Sequence, residues 1–503
     1  MSASPLAALA ERALKWSAAT TIARFVLQFV AQVALARLLG PGNFGVYGIG
    51  LAVLTFVGFL SGASFSYSLM LAPRLSDEDI RFSFTWQLVA GVLSAIAMFA
   101  AAPALAGFFG DPRVEPMVQV LSLASLLIAA AAPATYLLQR DLNFRVLGLV
   151  QLASYAAGYL AVGVPLALTG HGAMALGIAC VVQSAVALVL TYRARPHPVR
   201  PLWRHADGGD ALATGRAVFL TNVVNWLLAN LDRVIIGRVL NATSVGLFTV
   251  AYNLASIPNT LLLGALQPAF LATGARLQDD RQRLAQGWLL GLASVLVLAL
   301  PVAAALAVLA GDVVALLYGP PWAASGWVLA VLFLCLPAWA SWGLSTPVLW
   351  NTGRRQYEFL LQLPVLAVAA PLWWWLAPGG IVGIALASAC VVFARSAVIV
   401  HAALRALGLR WGAVLPDLGR GLLLALLCAG AAEAARAAAA PLGLPLVSLA
   451  AGSLAAFGAG MAVLWLRPRA LGEDALLALS RLVPGLARRL AAVAPVPPRE
   501  VAP

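Results

Sequence analysis

The sequence predicts an all-α, polytopic membrane protein, and three observations lead to that fold class. Hydrophobic residues make up 62% of the chain and charged residues only 10%, with a mean hydropathy of +0.92. This balance lies far outside that of soluble domains. The apolar residues are gathered into about fourteen stretches long enough to cross a bilayer as helices. A sequence pattern also returns after 201 residues, which indicates an internal repeat.

The predicted spans each contain roughly 20 or more mostly apolar residues, the length that a helix needs to cross the hydrocarbon core. They lie at about residues 17–38, 45–71, 83–108, 114–138, 146–169, 172–192, 213–238, 246–272, 285–310, 324–350, 357–377, 380–403, 414–436 and 442–466. Of the 32 basic residues, 25 fall in the two tails and alternate loops and only 4 on the opposite side. Because cytoplasmic loops carry the excess of Arg and Lys, both termini are predicted to be cytoplasmic.

The repeat is clearest at two similar corners, Leu35–Tyr47 and Ile236–Phe248. The pairs at the offset of 201 are Arg37 and Arg238, Gly45 and Gly246, and Tyr47 and Phe248. A second similarity relates residues 175–182 to 385–392 at an offset of 210. Each repeat would hold six spans and so return the chain to its starting side. The sequence therefore predicts two six-helix lobes related by a parallel repeat, with an axis along the membrane normal.

The predicted domains follow from this repeat. Residues 1–205 form the N-lobe with helices 1–6, and residues 206–410 form the C-lobe with helices 7–12. Helices 13 and 14, at 411–467, have no counterpart in the repeat. Residues 468–503 form a cytoplasmic tail, amphipathic at first and then proline-rich and disordered. The basic segment 193–204 is interpreted as the linker between the lobes, with a headgroup-binding patch as the alternative.

The first span carries a polar stripe. Arg24, Gln28 and Gln32 recur every four residues, which places them on one face of a helix. Arg24 precedes Arg37 by 13 residues, or about 20 Å of helix, so it lies well inside the bilayer. An arginine at that depth costs about 2.5–3.5 kcal/mol on insertion scales, a cost typical of functional residues. Such a stripe faces a partner helix or a water-filled cavity.

Span seven carries the related positions. At the offset of 201, Arg24 and Gln32 correspond to Asn225 and Arg233, and Asp232 is adjacent. For Arg233 the alternative is a local ion pair with Asp232 or another neighbour. The candidate substrate-binding residues are Arg24, Gln28, Gln32, Asn225, Arg233 and Arg395. Asp232 is the candidate for coupling to protons or sodium, since intramembrane carboxylates serve that purpose in pumps and transporters.

The motifs of common enzyme classes are missing from the sequence. It has no P-loop, no nucleophile elbow and no His/Cys cluster with metal-ligand spacing. We therefore predict no cofactor, no metal, no catalytic residue and no nucleic-acid partner. Transport by the spans themselves is the function that these absences favour.

The opening corner, Ala-Leu-Ala-Arg-Leu-Leu-Gly-Pro-Gly-Asn-Phe-Gly-Val-Tyr, resembles the signature of bacterial polysaccharide-exporting flippases. These belong to the superfamily that also contains drug/cation antiporters and lipid II flippases. The stretch Tyr136-Leu-Leu-Gln-Arg-Asp-Leu-Asn-Phe-Arg145 resembles the branch associated with exopolysaccharide and lipopolysaccharide O-unit export. The resemblance covers nearly the whole chain, with twelve core helices and an extra pair.

This resemblance implies two lobes around a cavity that opens alternately to each side of the bacterial plasma membrane. The implied cargo is an undecaprenyl-pyrophosphate-linked oligosaccharide, and Arg24 matches the first-helix arginine that engages the pyrophosphate in relatives. Membrane lipids, a polysaccharide polymerase and other assembly proteins are the implied partners. Membrane potential, protons or sodium could supply the energy. Two alternatives remain open: a cation-coupled drug antiporter of the same superfamily, and a polymerase or ligase of the same pathway.

Overall fold

The computed structural model describes residues 5–61, 66, 69, 75–205, 208–276 and 280–482, and all regular structure in these ranges is helical. The chain forms two compact units, Met1–Gly246 and Leu247–Pro503. The predicted all-α class is confirmed. The end of the second predicted span, apart from residues 66 and 69, and the tail after residue 482 lie outside the described ranges.

Within the described ranges, the first unit contains seven α-helices and the beginning of an eighth. Their bounds are α1 (Pro5–Ser61), α2 (Asp77–Phe109), α3 (Val114–Arg140), α4 (Phe144–Tyr155), α5 (Val164–Leu168), α6 (Met174–Ala194), α7 (Gly208–Val239) and α8 (Ala242–Arg276). A π-helical segment, Ala156–Gly163, joins α4 to α5.

The second unit continues with α8 and eight further helices of the described ranges. These are α9 (Arg281–Leu317), α10 (Ser325–Leu334), α11 (Leu336–Asn351), α12 (Arg355–Leu376), α13 (Gly380–Leu407), α14 (Leu415–Ala439), α15 (Pro445–Leu466) and α16 (Glu473–Leu482). The last of these begins the predicted amphipathic tail, and its Leu476 is buried against Val297 of α9.

Helix α1 is interrupted at Gly40, whose backbone angles (φ 71°, ψ 170°) are not helical. Glycine adopts positive φ without a steric penalty, and the following Pro41 suits a helix start because it has no N–H to satisfy. The apolar part of α1, Thr20–Gly58, has 39 residues, about 58 Å of helix against a hydrocarbon core of about 30 Å. The break at Gly40 matches the gap between the first two predicted spans.

Nine helical stretches of the described residues are long and apolar enough to cross a membrane, or ten if the bent pair α10 and α11 counts as one span. The protein is therefore a multi-pass membrane protein. One of the nine, Leu360–Leu407, covers most of α12 and all of α13. The figure of fourteen spans stays a prediction.

Close helix contacts in the first unit form where small residues face large ones. A Cβ on Gly50 would lie 2.7 Å from Leu121 of α3, and one on Gly177 would lie 2.9 Å from Met117. Met117 and Leu121 are completely buried. Small residues let helix backbones approach closely in membrane proteins, where packing rather than water exclusion drives association.

The segment 195–205 lies along the start of α2, and we call it the linker strap. Arg81 Nε donates to the carbonyl of Arg200 at 3.0 Å, and the Leu202 N–H donates to Thr85 Oγ1 at 2.9 Å. His197 is buried against the ring of Phe84. The strap is thus held against α2 by hydrogen bonds between side chains of α2 and the main chain of the strap, and by ring packing.

Candidate functional site

Arg24 lies on α1 and is bound to a residue of α4. Its Nη1 donates to Gln151 Oε1 at 2.7 Å. Gln28 and Gln32 follow on α1 at one-turn intervals, and all three side chains of the stripe are half-buried. The predicted stripe therefore lies on one helix face, with Arg24 held at its start.

A glycine explains why Arg24 meets Gln151. Thr20, one turn before Arg24, lies so close to Gly148 that a Cβ on this glycine would overlap the threonine side chain. Helices α1 and α4 therefore approach at these two residues. Because residues three or four apart share a helix face, the next turn of each helix brings Arg24 opposite Gln151.

On α7, the three candidates have different surroundings. Asn225 is exposed, whereas Asp232 is buried and its Oδ1 accepts the N–H of Arg233 at 2.7 Å. Arg233 Nη1 donates to the carbonyl of Ala229 at 3.2 Å and to Asn230 Oδ1 at 2.8 Å. The guanidinium of Arg233 therefore folds back along its own helix, which agrees with the alternative of a local partner.

Arg395, in the second unit, is held by two neighbouring helices. Its Nη2 donates to Gln362 Oε1 of α12 at 2.6 Å, and its Cζ lies 3.8 Å from the ring centroid of Trp342 on α11. This is a cation–π contact of good geometry. Arg395 Nε and Trp342 Nε1 are buried and have no hydrogen-bond acceptor in the described part of the chain. Buried donors of this kind are costly unless a ligand or water satisfies them.

Two glutamines of this arrangement, Gln151 and Gln362, were missed by the sequence analysis. Each is the polar residue of an apolar stretch, Leu149-Val-Gln-Leu152 and Leu360-Leu-Gln-Leu363. They are 211 residues apart, close to the offset of 210 seen in the spans that follow. A search for polar residues at related positions of the repeat could have found both. In each unit, then, a glutamine accepts a hydrogen bond from an arginine of a predicted span.

The fold is shared with a solved structure described as lipid II flippase MurJ in an inward closed conformation. It superimposes with a TM-score of 0.72, covers 90% of this chain and 98% of that chain, and is 14% identical in sequence. At that identity the likeness concerns the fold alone.

Two curated relatives resemble the chain in sequence. The succinoglycan biosynthesis transport protein ExoT of Rhizobium meliloti (strain 1021) is 29% identical, with a match over 72% of this chain and 71% of the relative. The lipopolysaccharide biosynthesis protein WzxC of Escherichia coli (strain K12) is 26% identical, over 61% of this chain and 63% of that protein. These matches confirm the resemblance indicated by the Leu35–Tyr47 corner.

A family model described as Polysaccharide biosynthesis protein matches residues 34–326. That range is more than half of the 503 residues of the chain. The chain therefore belongs to the Polysaccharide biosynthesis protein family.

Proposed function

We propose that the protein is an alternating-access flippase of the bacterial plasma membrane. It moves an undecaprenyl-pyrophosphate-linked oligosaccharide, the repeat unit of an O-antigen or exopolysaccharide, from the inner to the outer leaflet. The observation that carries this proposal is the Arg24–Gln151 pair, an arginine held at membrane depth by a neutral partner. Relatives that are named as polysaccharide transport and biosynthesis proteins support the same function.

The arginines supply the chemistry that a buried pyrophosphate needs. Guanidinium groups bind phosphate oxygens through charge-assisted, often bidentate hydrogen bonds. A neutral glutamine can orient Arg24 without cancelling its charge, unlike a carboxylate. Gln28 and Gln32, further along the stripe, and Asn225 on α7 are assigned to the sugar hydroxyls. Arg395 and Arg233 are assigned as further cationic contacts for the cargo.

Membrane potential can assist the movement of this anionic cargo. An inside-negative potential favours outward movement of an anion by about 2.3 kcal/mol per charge per 100 mV. Asp232, a buried carboxyl on α7, is the proposed residue for proton or sodium coupling. The same residue would serve a drug antiporter, but the names of the relatives point to polysaccharide cargo. No cofactor is assigned, and the protein is proposed to act as a transporter rather than an enzyme.

The proposed topology has fourteen crossings, with both termini cytoplasmic and two six-helix lobes divided near residue 205. Two long apolar stretches support this topology. Thr20–Gly58 is long enough for two crossings, and Leu360–Leu407 covers most of α12 and all of α13. Helices α7 and α8, with 32 and 35 residues, are long enough to cross as well. In this topology the cargo leaves at the outer face, where a polymerase and other assembly proteins would receive it.

Replacement of Arg24 tests this function directly. Arg24→Ala is expected to abolish export of the surface polysaccharide in a deletion strain that carries the variant at normal protein level. Full export by Arg24→Ala would remove Arg24 from the cargo site. A change in drug susceptibility with Asp232→Asn, independent of the polysaccharide genes, would favour the antiporter instead.

A further inference from the structure

Helices α14 and α15, the pair without a counterpart in the repeat, form a trough on the surface of the second unit. It encloses about 420 Å³ and is lined mainly by Leu, Ala and Val side chains of the two helices. Leu423 and Leu427 of α14 are 71% and 48% exposed. Such exposure is expected of side chains that meet lipid. What distinguishes this trough is that two arginines, Arg420 and Arg467, stand among its lining residues.

Both arginines lie at the same end of the trough. Arg420 is in the second turn of α14, which starts at Leu415, and Arg467 directly follows the last residue of α15, Leu466. Helices of this pair run in opposite directions through the apolar stretches Leu415–Leu442 and Pro445–Leu466. The arginine end is therefore the membrane–water boundary of the trough, on the side predicted to be cytoplasmic.

Arg420 is held in place by buried groups. Its Nη1 donates to Asp417 Oδ1 at 2.7 Å, and the Asp417 side chain is only 5% exposed. The turn after α15 packs closely against this pair, since a Cβ on Gly472 would lie 3.2 Å from Asp417 Oδ1. Leu471, in the same turn, is buried together with Leu476 of α16. The arginine end of the trough is therefore formed by tightly packed residues, several of them buried.

The charge at the arginine end and the length of the trough indicate which ligand fits it. Arg420 and Arg467 with Asp417 carry a net charge of +1, which one phosphodiester would neutralise. From Arg420 to Leu427 the trough follows α14 for about 10 Å, less than the half of a 30 Å hydrocarbon core that one leaflet supplies. We propose that the trough binds one anionic phospholipid of the inner leaflet. Its phosphate lies between Arg420 and Arg467, and one acyl chain lies along Leu423, Leu427 and Ala462.

Binding of phosphatidylglycerol to the purified full-length protein tests this site, with phosphatidylcholine as the zwitterionic comparison. Native mass spectrometry after delipidation counts the bound lipids. We expect one phosphatidylglycerol to be retained in preference to phosphatidylcholine. Arg467→Gln should weaken that binding about tenfold, since it removes a charge-assisted hydrogen bond from an exposed position. Arg469→Gln, two residues further on and not a lining residue, is the matched control and should bind as the wild type does.

A second variant tests the trough apart from its charge. Ala462→Phe places a ring in the path of the acyl chain and should also lower phosphatidylglycerol binding while both arginines remain. Equal effects of Arg467→Gln and Arg469→Gln, or equal binding of both lipids, would overturn the proposal. Displacement of phosphatidylglycerol by undecaprenyl phosphate at equal concentration would also overturn it, because the site would then belong to a polyprenyl chain. The proposal does not depend on transport, so it can fail while the proposed function stands.

Discussion

Gly45 and Gly246, which are 201 residues apart in sequence, lie against each other with no room for a side chain on either. A Cβ on Gly45 would lie 2.9 Å from the nitrogen of Gly246, and one on Gly246 would lie 3.0 Å from the nitrogen of Gly45. Each Cβ would also overlap a carbonyl of the other corner, that of Ala242 or of Pro41. These carbonyl positions are themselves 201 residues apart, so the contact is reciprocal, as in an isologous interface.

Substitution of Gly45 by alanine should therefore destabilise the contact between the two corners. The methyl group would overlap the Ala242 carbonyl, and relief requires a backbone shift that costs about 1–3 kcal/mol. The melting temperature of the purified protein measures this loss. Gly58→Ala, on the same helix with no atom within 4 Å of its added Cβ, should be neutral or slightly stabilising because alanine is the better helix former. Equal shifts for both variants would show that the corners are not in tight contact.

The Arg24–Gln151 hydrogen bond should matter for export rate. Gln151→Leu removes the acceptor that positions the guanidinium, a bond worth about 1 kcal/mol, so the rate should fall about fivefold. Arg24→Lys keeps the charge but loses the planar fork, and a larger fall of about tenfold or more is expected. Rates of polysaccharide export at equal protein level measure both effects. Gln119→Leu is the control, since this half-buried span glutamine bonds Glu115 instead; an equal loss in the control would argue against positioning by Gln151.

The contacts of Arg395 should contribute to stability of the second unit. Gln362→Leu leaves Arg395 Nη2 without its acceptor and should destabilise the protein by about 1–3 kcal/mol. Trp342→Phe retains a ring below the guanidinium and should cost less than Trp342→Ala, which removes the cation–π contact altogether. Thermal unfolding in detergent ranks the variants. If Trp342→Ala were as stable as Trp342→Phe, the ring would not support Arg395.

Acid should loosen the linker strap. Burial lowers the pKa of His197 from its ordinary value, and the nearby Arg195 lowers it further. A histidine whose pKa is lower in the folded state stabilises that state above its unfolded pKa of about 6.5, and the contribution is lost as pH falls below that value. The protection of the backbone amides of residues 195–205, measured as exchange relative to the intrinsic rate at each pH, should therefore fall as the pH is lowered from 7.5 to 5.5.

The variant His197→Phe separates the effect of His197 from the effects of the other charged groups of the strap. Arg195 pairs with Asp141 at 2.8 Å, and His205 contacts Asp79 at 2.7 Å and Glu78 at 3.8 Å. His197→Phe keeps ring packing with Phe84 but cannot titrate, so the protection of the strap amides should not fall over that pH range. An unchanged acid response in His197→Phe would assign the effect to other groups.

Much of the fold was predictable because hydropathy records which segments can enter lipid. The break between the first two spans was visible as Gly40-Pro41. The amphipathic start of the tail was visible as a leucine pattern from Leu476 to Leu490, of which the part up to Leu482 lies within the described residues and is helical. Hydropathy does not show which helices pack side by side or which of their residues meet. Gln151 is 127 residues from Arg24, and only the close approach at Gly148 makes them partners.

The candidate residues illustrate the same limit at the site. Polarity at lipid depth singled out Arg24 and Arg395 as candidate residues, but it could not choose between a ligand, a neighbouring helix and the residue's own helix as the partner. For Arg233 the partner lies on its own helix, at Asn230 and Ala229. Trp342 was not predicted at all, since an apolar ring in an apolar span carries no signal of a cation above it. Arg238 of the second corner donates to the carbonyl of Phe108 and lies over its ring, which ties the end of α7 to the end of α2.

The leaflet in which lipid-linked oligosaccharides accumulate tests the central claim most directly. A strain that lacks this protein should be compared with the same strain complemented by the wild-type gene, using an impermeant probe that reacts only with sugars on the outer leaflet. A flippase predicts that the units accumulate on the inner leaflet, protected from the probe, and become accessible on complementation. Accumulation on the outer leaflet in the deletion strain would contradict the account, because the missing step would then be polymerisation or ligation after transport.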